Sequence, residues 1–308
     1  MTDVPPAGTP VCYRHPGRET YIRCTRCNRP ICPDCMREAS VGHQCPECVA
    51  EGRRSQRQTR TAFGGSTLGR QGYVTITLIV INVLMLLLSL ASARNPGNAA
   101  IGGGLGGLLG GPTPLMHKLA VVGGPECQDL ANSPIYACGV AHGEYYRLFT
   151  AMFMHYGVLH LLMNMYALWI LGRTLEAFLG PARFLALYLV AGLGGNVAAY
   201  VFQPGALSAG ASTAIFGLFA ALFLVLRKLG LSTASVVPVI VINLVFTFTI
   251  KGISIYGHLG GFVVGGLIAA GLAYAPKERR SAIQTATIVI AVLALGGLSL
   301  WQTAQLVA

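Results

Sequence analysis

The sequence predicts an all-α polytopic membrane protein preceded by a small cysteine-rich domain, and three observations predict it. The 308 residues have a mean hydropathy of +0.59 and only 11% of them are charged, a balance too apolar for an ordinary soluble domain. The apolar residues gather into runs of about twenty, the length a helix needs to cross a bilayer. The first 72 residues hold no such run, carry seven of the nine cysteines and read without a signal peptide.

A net charge of +11 admits nucleic acid or anionic lipid as a partner. Its distribution has a simpler cause. If Tyr73–Ala93 crosses the membrane outward, every Lys and Arg except Arg94, Lys118, Arg147 and Lys251 falls on the inner side. That asymmetry places the N-terminus in the cytoplasm. Topology accounts for the basicity, and no nucleic-acid partner is expected.

Residues 1–51 carry the pattern Cys12-x2-His15, Cys24-x2-Cys27, Cys32-x2-Cys35 and His43-x-Cys45-x2-Cys48. Two ligands three residues apart grip one side of a tetrahedral ion, so four such knuckles point to two structural zinc ions. In a reducing cytoplasm this cysteine density reads as metal rather than disulfide. A core this short cannot fold by burial alone, and metal would supply the stability. The arrangement resembles the B-box type of zinc module. That resemblance implies cross-bracing, with Cys12, His15, Cys32 and Cys35 on one ion. Cys24, Cys27, Cys48 and either His43 or Cys45 would hold the other, nine candidates for eight positions. A cytoplasmic protein is the kind of partner such a module would take.

Residues 52–72 form a basic linker with Arg53, Arg54, Arg57, Arg60 and Arg70, either a solvated tether or a strip lying on anionic lipid. Residues 73–308 form the membrane domain. Its first span is Tyr73–Ala93, uncharged throughout. Asn95–Arg147 is a long external loop with a glycine tract at Gly102–Gly111. Cys127 and Cys138 lie in that loop on the oxidising side, where a disulfide between them is open. From Gly157 the chain is apolar again, with further spans at Phe184–Phe202, Leu207–Leu226, Ser232–Ile250, Ile253–Ala275 and Ile283–Trp301. Seven helices result, joined by short connections, so helices 2, 4 and 6 enter from the external face. Gly257, Gly261 and Gly265 make a small-residue stripe that permits close helix approach.

Those three helices carry polar residues near their outer ends. His160 lies a few residues into helix 2, Ser212 about five into helix 4 and His258 about five into helix 6. The shared depth is some 5–10 Å below the surface, by a rise of about 1.5 Å per residue. Asn164 sits one turn beyond His160 on the same face. Singly, each has a packing explanation, since buried polar residues do hold helices together. Jointly they suit nucleophilic chemistry. A serine hydroxyl needs a neighbouring base, and neutral imidazole serves near pH 7. An amide, a second imidazole and a backbone N–H can hold a developing oxyanion. These spans offer His258 no acidic partner, which makes the arrangement a dyad rather than a triad.

With these residues in view, the membrane domain resembles the rhomboid intramembrane serine proteases over about residues 144–274. The resemblance rests on Tyr146-Arg147, His155, the H-x-x-x-N element His160–Asn164, Leu171-Gly172 with Glu176, the G-x-S element Gly210–Ser212, and Gly257-His258-Leu259-Gly260-Gly261. It implies a six-helix rhomboid-like bundle with a seventh, C-terminal transmembrane helix, in the plasma membrane of a bacterium. It also implies Ser212 as nucleophile and His258 as base, with Asn164, His160 and the Ser212 N–H holding the oxyanion. Arg147 and Glu176 would be structural, and catalysis would need no cofactor. Single-pass membrane proteins cleaved in or beside their transmembrane segments are the implied substrates. Three positions depart from the family pattern. Thr213 stands where glycine is usual and could narrow the oxyanion hole, Phe216 replaces a tyrosine, and Tyr146 replaces a tryptophan. A catalytically impaired, client-binding relative is the alternative, although such a chain should lack the serine or the histidine. A transporter would need acidic residues for a proton relay and matched broken helices, and neither is present.

Overall fold

The computed structural model describes residues 8–55, 59–101, 110–124, 128–129, 136–137, 139–250 and 252–308. Cys127 and Cys138, the candidate disulfide pair, lie outside the described residues. The chain forms two compact units that divide between Thr59 and Arg60.

The first unit is built around its thiols. Strands β1 (Val11–Cys12) and β2 (His15–Glu19) form an antiparallel hairpin that sets Cys12 opposite His15. The Cys24–Cys27 knuckle turns through Asn28, which takes a left-handed φ of 60° and donates its N–H to the Cys24 carbonyl. Asparagine is one of the few side chains that tolerate that conformation. A second ribbon, β3 (Arg37–Glu38) with β4 (His43–Gln44), leads into helix α1 (Pro46–Ser55), which carries Cys48. Six cysteines and Ile31 make up the buried cluster. One aliphatic side chain cannot offset the entropy of ordering nearly fifty residues, which costs roughly 1–2 kcal/mol per residue for the backbone alone.

The second unit takes in part of what composition assigned to the 52–72 linker. Helix α1 carries that segment to Ser55, and residues 60–72 fold onto the helical bundle. Phe63 is the reason, because its ring is buried in the membrane-domain core and its carbonyl accepts a bond from Gln284 Nε2 at 3.2 Å. Residues 60–72 are therefore folded against the bundle rather than a free tether.

The bundle comprises α2 (Tyr73–Ser92), α6 (Gly157–Leu179), α7 (Pro181–Phe202), α8 (Ser212–Lys228), α9 (Val236–Thr249), α10 (Ile255–Tyr274) and α11 (Arg280–Val307). Short helices α3 (Pro96–Ala100), α4 (Pro114–Leu119) and α5 (Arg147–Thr150) belong to the connection between α2 and α6. Among the described residues five helices are long and apolar enough to span a bilayer. The exceptions among the seven expected spans are α8, of 17 residues, and α9, of 14. Helix α8 is shorter than the sequence suggests because Leu207–Ala211 is not helical. Gly210 takes a φ of +141°, which only glycine adopts freely and which cannot continue a helix.

Helix α10 packs between α7 and α8 along the glycine stripe. A Cβ on Gly261 would lie 1.9 Å from the Thr213 carbonyl oxygen, and one on Gly265 would lie 2.3 Å from Gly217 Cα. The backbones themselves are in contact there, as a small-residue stripe permits.

Polar bonds fix the outer parts of the unit. Arg147 is 2% exposed and donates from Nε to Glu144 at 2.7 Å. Its Nη1 reaches the carbonyls of His117 at 2.5 Å and Ala120 at 3.1 Å, which ties α5 to α4. Thr303 of α11 accepts from Tyr145 and Tyr200 and donates to the Ser299 carbonyl.

At the other end of the bundle, Glu176 is fully buried. Its carboxylate accepts from the N–H groups of Val74 and Thr75, at 3.0 and 2.9 Å, and from the Thr75 hydroxyl at 2.7 Å. These are unpaired first-turn donors of α2, whose cap residue Gly72 has no side chain to offer. A neighbouring helix thus caps α2. Glu176→Ala should cost roughly 2–3 kcal/mol, the penalty for leaving buried N–H groups unpaired. Thermal unfolding in detergent should show the loss, with Glu176→Gln falling between the alanine variant and the parent.

Candidate functional site

Ser212 is the first residue of α8 rather than the fifth of a longer helix. The preceding strand reaches into the protein as extended chain. Val121 and Ser208 exchange both backbone bonds, at 2.9 and 2.8 Å, and Gly210 N–H donates to Ala151 at 3.0 Å. Tyr156 adds its hydroxyl to the Leu207 carbonyl at 2.8 Å. Non-helical backbone at membrane depth is tolerated when protein groups satisfy it in this way. The arrangement leaves the first N–H groups of α8, including that of Ser212, without helical acceptors and aimed beyond the helix end.

His258 is the fourth residue of α10, whose N-terminus is capped by Ser254 Oγ accepting from Gly257 N–H at 3.1 Å. Its Nε2 lies 2.9 Å from Ser212 Oγ. Phe216, one turn along α8 from the serine, stacks on the imidazole with centroids 4.0 Å apart and planes at 18°. On the opposite ring nitrogen, Nδ1 lies 2.8 Å from Thr247 Oγ1 of α9. Sequence reasoning passed over Thr247, because Thr247 and Thr249 look alike in an apolar helix.

His160 stands on the far side of Gly210. A Cβ on Gly210 would lie 3.2 Å from His160 Nε2 and 3.3 Å from Ser212 Oγ, so the absent side chain lets imidazole and hydroxyl share one space. His160 Nδ1 faces the Tyr156 backbone N–H at 3.2 Å. A backbone N–H can only donate, so neutral His160 carries its proton on Nε2. Tyr156 stacks on the ring at 6.1 Å, and His155 meets it edge-on at 5.1 Å. Asn164 is buried one turn further along α6, and its Nδ2 finds no acceptor among the described residues. Among the described residues the Nε2–H of His160 thus remains uncommitted beside Ser212, and the Asn164 amide is buried without an acceptor one turn along the same helix.

Thr213 packs its side chain against two neighbouring helices. Its Cβ and Cγ2 pack toward Gly195 of α7 and Gly257 of α10, and Oγ1 bonds the Gly210 carbonyl at 3.4 Å. Glycines on two neighbouring helices make room for the extra atoms.

In the first unit, two four-donor groups assemble. Cys12, His15, Cys32 and Cys35 form one, and Cys24, Cys27, Cys45 and Cys48 the other, with the donor atoms of each within 4.8 Å of one another. Cys45 completes the second group. His43 stays outside both, on β4, where its carbonyl accepts from Thr25. Tetrahedral zinc with bonds of about 2.3 Å sets donors about 3.7 Å apart. The spacings of 3.7 Å for Cys12–His15 and 3.8 Å for Cys27–Cys45 match that edge, and His15 lies closer to Cys32 and Cys35, at 3.3 and 3.4 Å, in the direction that shorter zinc–nitrogen bonds give. The thiols of each group also oppose one another's ionisation. Burial opposes ionisation of Cys12 and Cys24, yet backbone N–H groups more than offset it and bring both down to about 6. Burial and the neighbouring sulfurs then push Cys35 up to about 11 and Cys48 up to about 12.

Fold and site together define a polytopic membrane protein with a serine–histidine pair set inside its helical bundle. Residues 142–275 match the model of the rhomboid domain. The chain is 43% identical over 143 residues to the rhomboid protease GluP of Bacillus subtilis, covering 45% of this chain and 28% of that protein. It is 37% identical over 151 residues to the putative rhomboid protease YdcA of the same organism, 47% of this chain and 75% of YdcA. RHOMBOID-like protein 7 of Arabidopsis thaliana is 31% identical over 179 residues, 54% of this chain and 57% of that protein. The chain belongs to the rhomboid family.

The Ser212–His258 distance depends on α8 and α10 touching at Gly261. Gly261→Ala would force the helices apart and should cost on the order of 1–3 kcal/mol through overpacking. The variant should unfold at lower temperature in detergent, and a fluorophosphonate probe should label it more slowly than the parent.

Proposed function

We propose that this chain is an intramembrane serine endopeptidase that cleaves transmembrane segments of single-pass membrane proteins. The observation that carries the reading is the 2.9 Å approach of His258 Nε2 to Ser212 Oγ beneath the Phe216 ring. Ser212 Oγ attacks a substrate carbonyl carbon while His258 Nε2 takes the hydroxyl proton. The oxyanion that forms accepts bonds from His160 Nε2–H, Asn164 Nδ2–H and the Ser212 N–H. His258 then gives its proton to the departing amine, leaving an acyl-enzyme. Water attacks the ester, passes a proton to Nε2, and the acid leaves as Ser212 recovers its hydrogen.

Substrate helices must open locally, because an intact helix hides its carbonyls in its own hydrogen bonds. The charge asymmetry supports a cytoplasmic N-terminus, and the membrane would be the plasma membrane of a bacterium. In the N-terminal unit, Cys12, His15, Cys32 and Cys35 would hold one zinc ion and Cys24, Cys27, Cys45 and Cys48 a second. The ions would supply folding energy rather than chemistry. A cytoplasmic protein is the proposed partner of that unit.

Purified protein in liposomes with a labelled single-span substrate tests the activity. Ser212→Ala should abolish cleavage, and His258→Ala should slow it roughly 10²–10⁴-fold, the usual worth of general acid–base catalysis. Binding of the substrate without serine-dependent cleavage would favour the client-binding alternative. For the N-terminal unit, metal analysis should find about two zinc ions per chain. Cys45→Ala should lower that content and His43→Ala should leave it unchanged. Equal losses in the two variants would overturn the proposed ligand set.

A further inference from the structure

Helix α9 has little reason to carry a buried polar group. Among its 14 residues only Val236 and Thr247 are buried, and its remaining surface is largely exposed and apolar. Thr247 is nevertheless 1% exposed, and its single oxygen makes two bonds. Oγ1 lies 2.8 Å from the Asn243 carbonyl oxygen one turn back and 2.8 Å from His258 Nδ1. A carbonyl can only accept, so the one hydroxyl proton goes to Asn243. The second bond then exists only if His258 carries a proton on Nδ1 and donates it to the threonine oxygen. Nε2 is left with its lone pair facing Ser212.

We propose that Thr247 is a positioning residue that selects the reactive tautomer of His258 and ties the end of α9 to the site. It takes the place that a carboxylate occupies in a serine–histidine–aspartate triad, but without charge. The hydroxyl exchanges no proton with the imidazole during the reaction. When Nε2 accepts the Ser212 proton, the resulting imidazolium keeps donating from Nδ1 to Thr247. The inference deepens the protease reading and rests on it for its kinetic consequence, whereas the tautomer assignment stands on hydrogen-bond direction alone. Thr249 supplies an internal control, because among the described residues its hydroxyl bonds only the Val245 carbonyl, at 2.8 Å, and the residue is exposed.

The test combines nitrogen NMR with kinetics on the full chain. In protein labelled with ¹⁵N-histidine, the signal missing from His258→Ala identifies His258. Neutral His258 should be protonated at Nδ1 in the parent and lose that preference in Thr247→Val. In liposomes Thr247→Val should lower kcat about tenfold, the scale of one hydrogen bond, with KM unchanged. Thr247→Ser should restore most of the rate, and Thr249→Val should match the parent. Thr247→Ala replaces the valine variant if valine does not fold. A parent His258 protonated at Nε2, an unchanged kcat in Thr247→Val, or a serine variant as slow as valine would overturn the proposal. If no cleavage occurs but the tautomer shifts on substitution, the protease reading fails and the positioning role stands.

Discussion

The lack of water inside a bilayer is the constraint on which the rest of the structure depends. Ser212 at the start of α8 exposes unpaired N–H groups, and the chain that leads to it runs unwound among the helices of a membrane domain. Every unmet backbone group there costs several kcal/mol. The connection between α2 and α6 removes that cost. Val121 pairs with Ser208, Ala151 receives Gly210 N–H, and Tyr156 caps the Leu207 carbonyl. Arg147 in turn holds the connection to itself by its bonds to Glu144, His117 and Ala120. A buried arginine that bonds neither Ser212 nor His258 among the described residues is thus linked through Val121 and Ser208 to where Ser212 stands.

Helix packing and hydrogen-bond direction then complete the site. The glycine stripe of α10 brings its backbone against α8, and only that approach lets His258 reach Ser212. The two histidines adopt opposite tautomers because their Nδ1 partners differ in kind. His160 Nδ1 faces a donor, the Tyr156 N–H, and is left with Nε2–H to give. His258 Nδ1 faces a threonine oxygen whose proton is committed elsewhere, and is left with Nε2 free to receive. One imidazole is left as a donor and the other as an acceptor by neutral partners, and among the described residues no carboxylate hydrogen-bonds to either ring.

Much of this was legible in the sequence because it rests on residue type and spacing. The cysteine knuckles, the H-x-x-x-N element and the G-x-S element each signal a ligand set or a helical face. Helix ends were less legible. Leu207–Ala211 is apolar enough to read as helix, and its extended path follows from the φ of Gly210 and from partners more than fifty residues away. Phe63 likewise joins a core whose other members lie far along the chain, so a polar linker was read where folded structure begins. His43 and Cys45 were equivalent by spacing, and only the fold of β4 into α1 separates them. Where the Thr213 side chain packs was not legible, because Gly195 and Gly257, which receive it, sit on other helices. Thr247 was invisible for the same reason. Its meaning comes from an imidazole eleven residues on that folds back against it.

The central claim is that His258 activates Ser212 and no other hydroxyl. Mass-spectrometric mapping of the protein after reaction with a fluorophosphonate tests it most directly. The account predicts a single adduct on the peptide that contains Ser212, lost when His258 is replaced by alanine. An adduct on a different serine, or equal modification of Ser212 in His258→Ala, would contradict it.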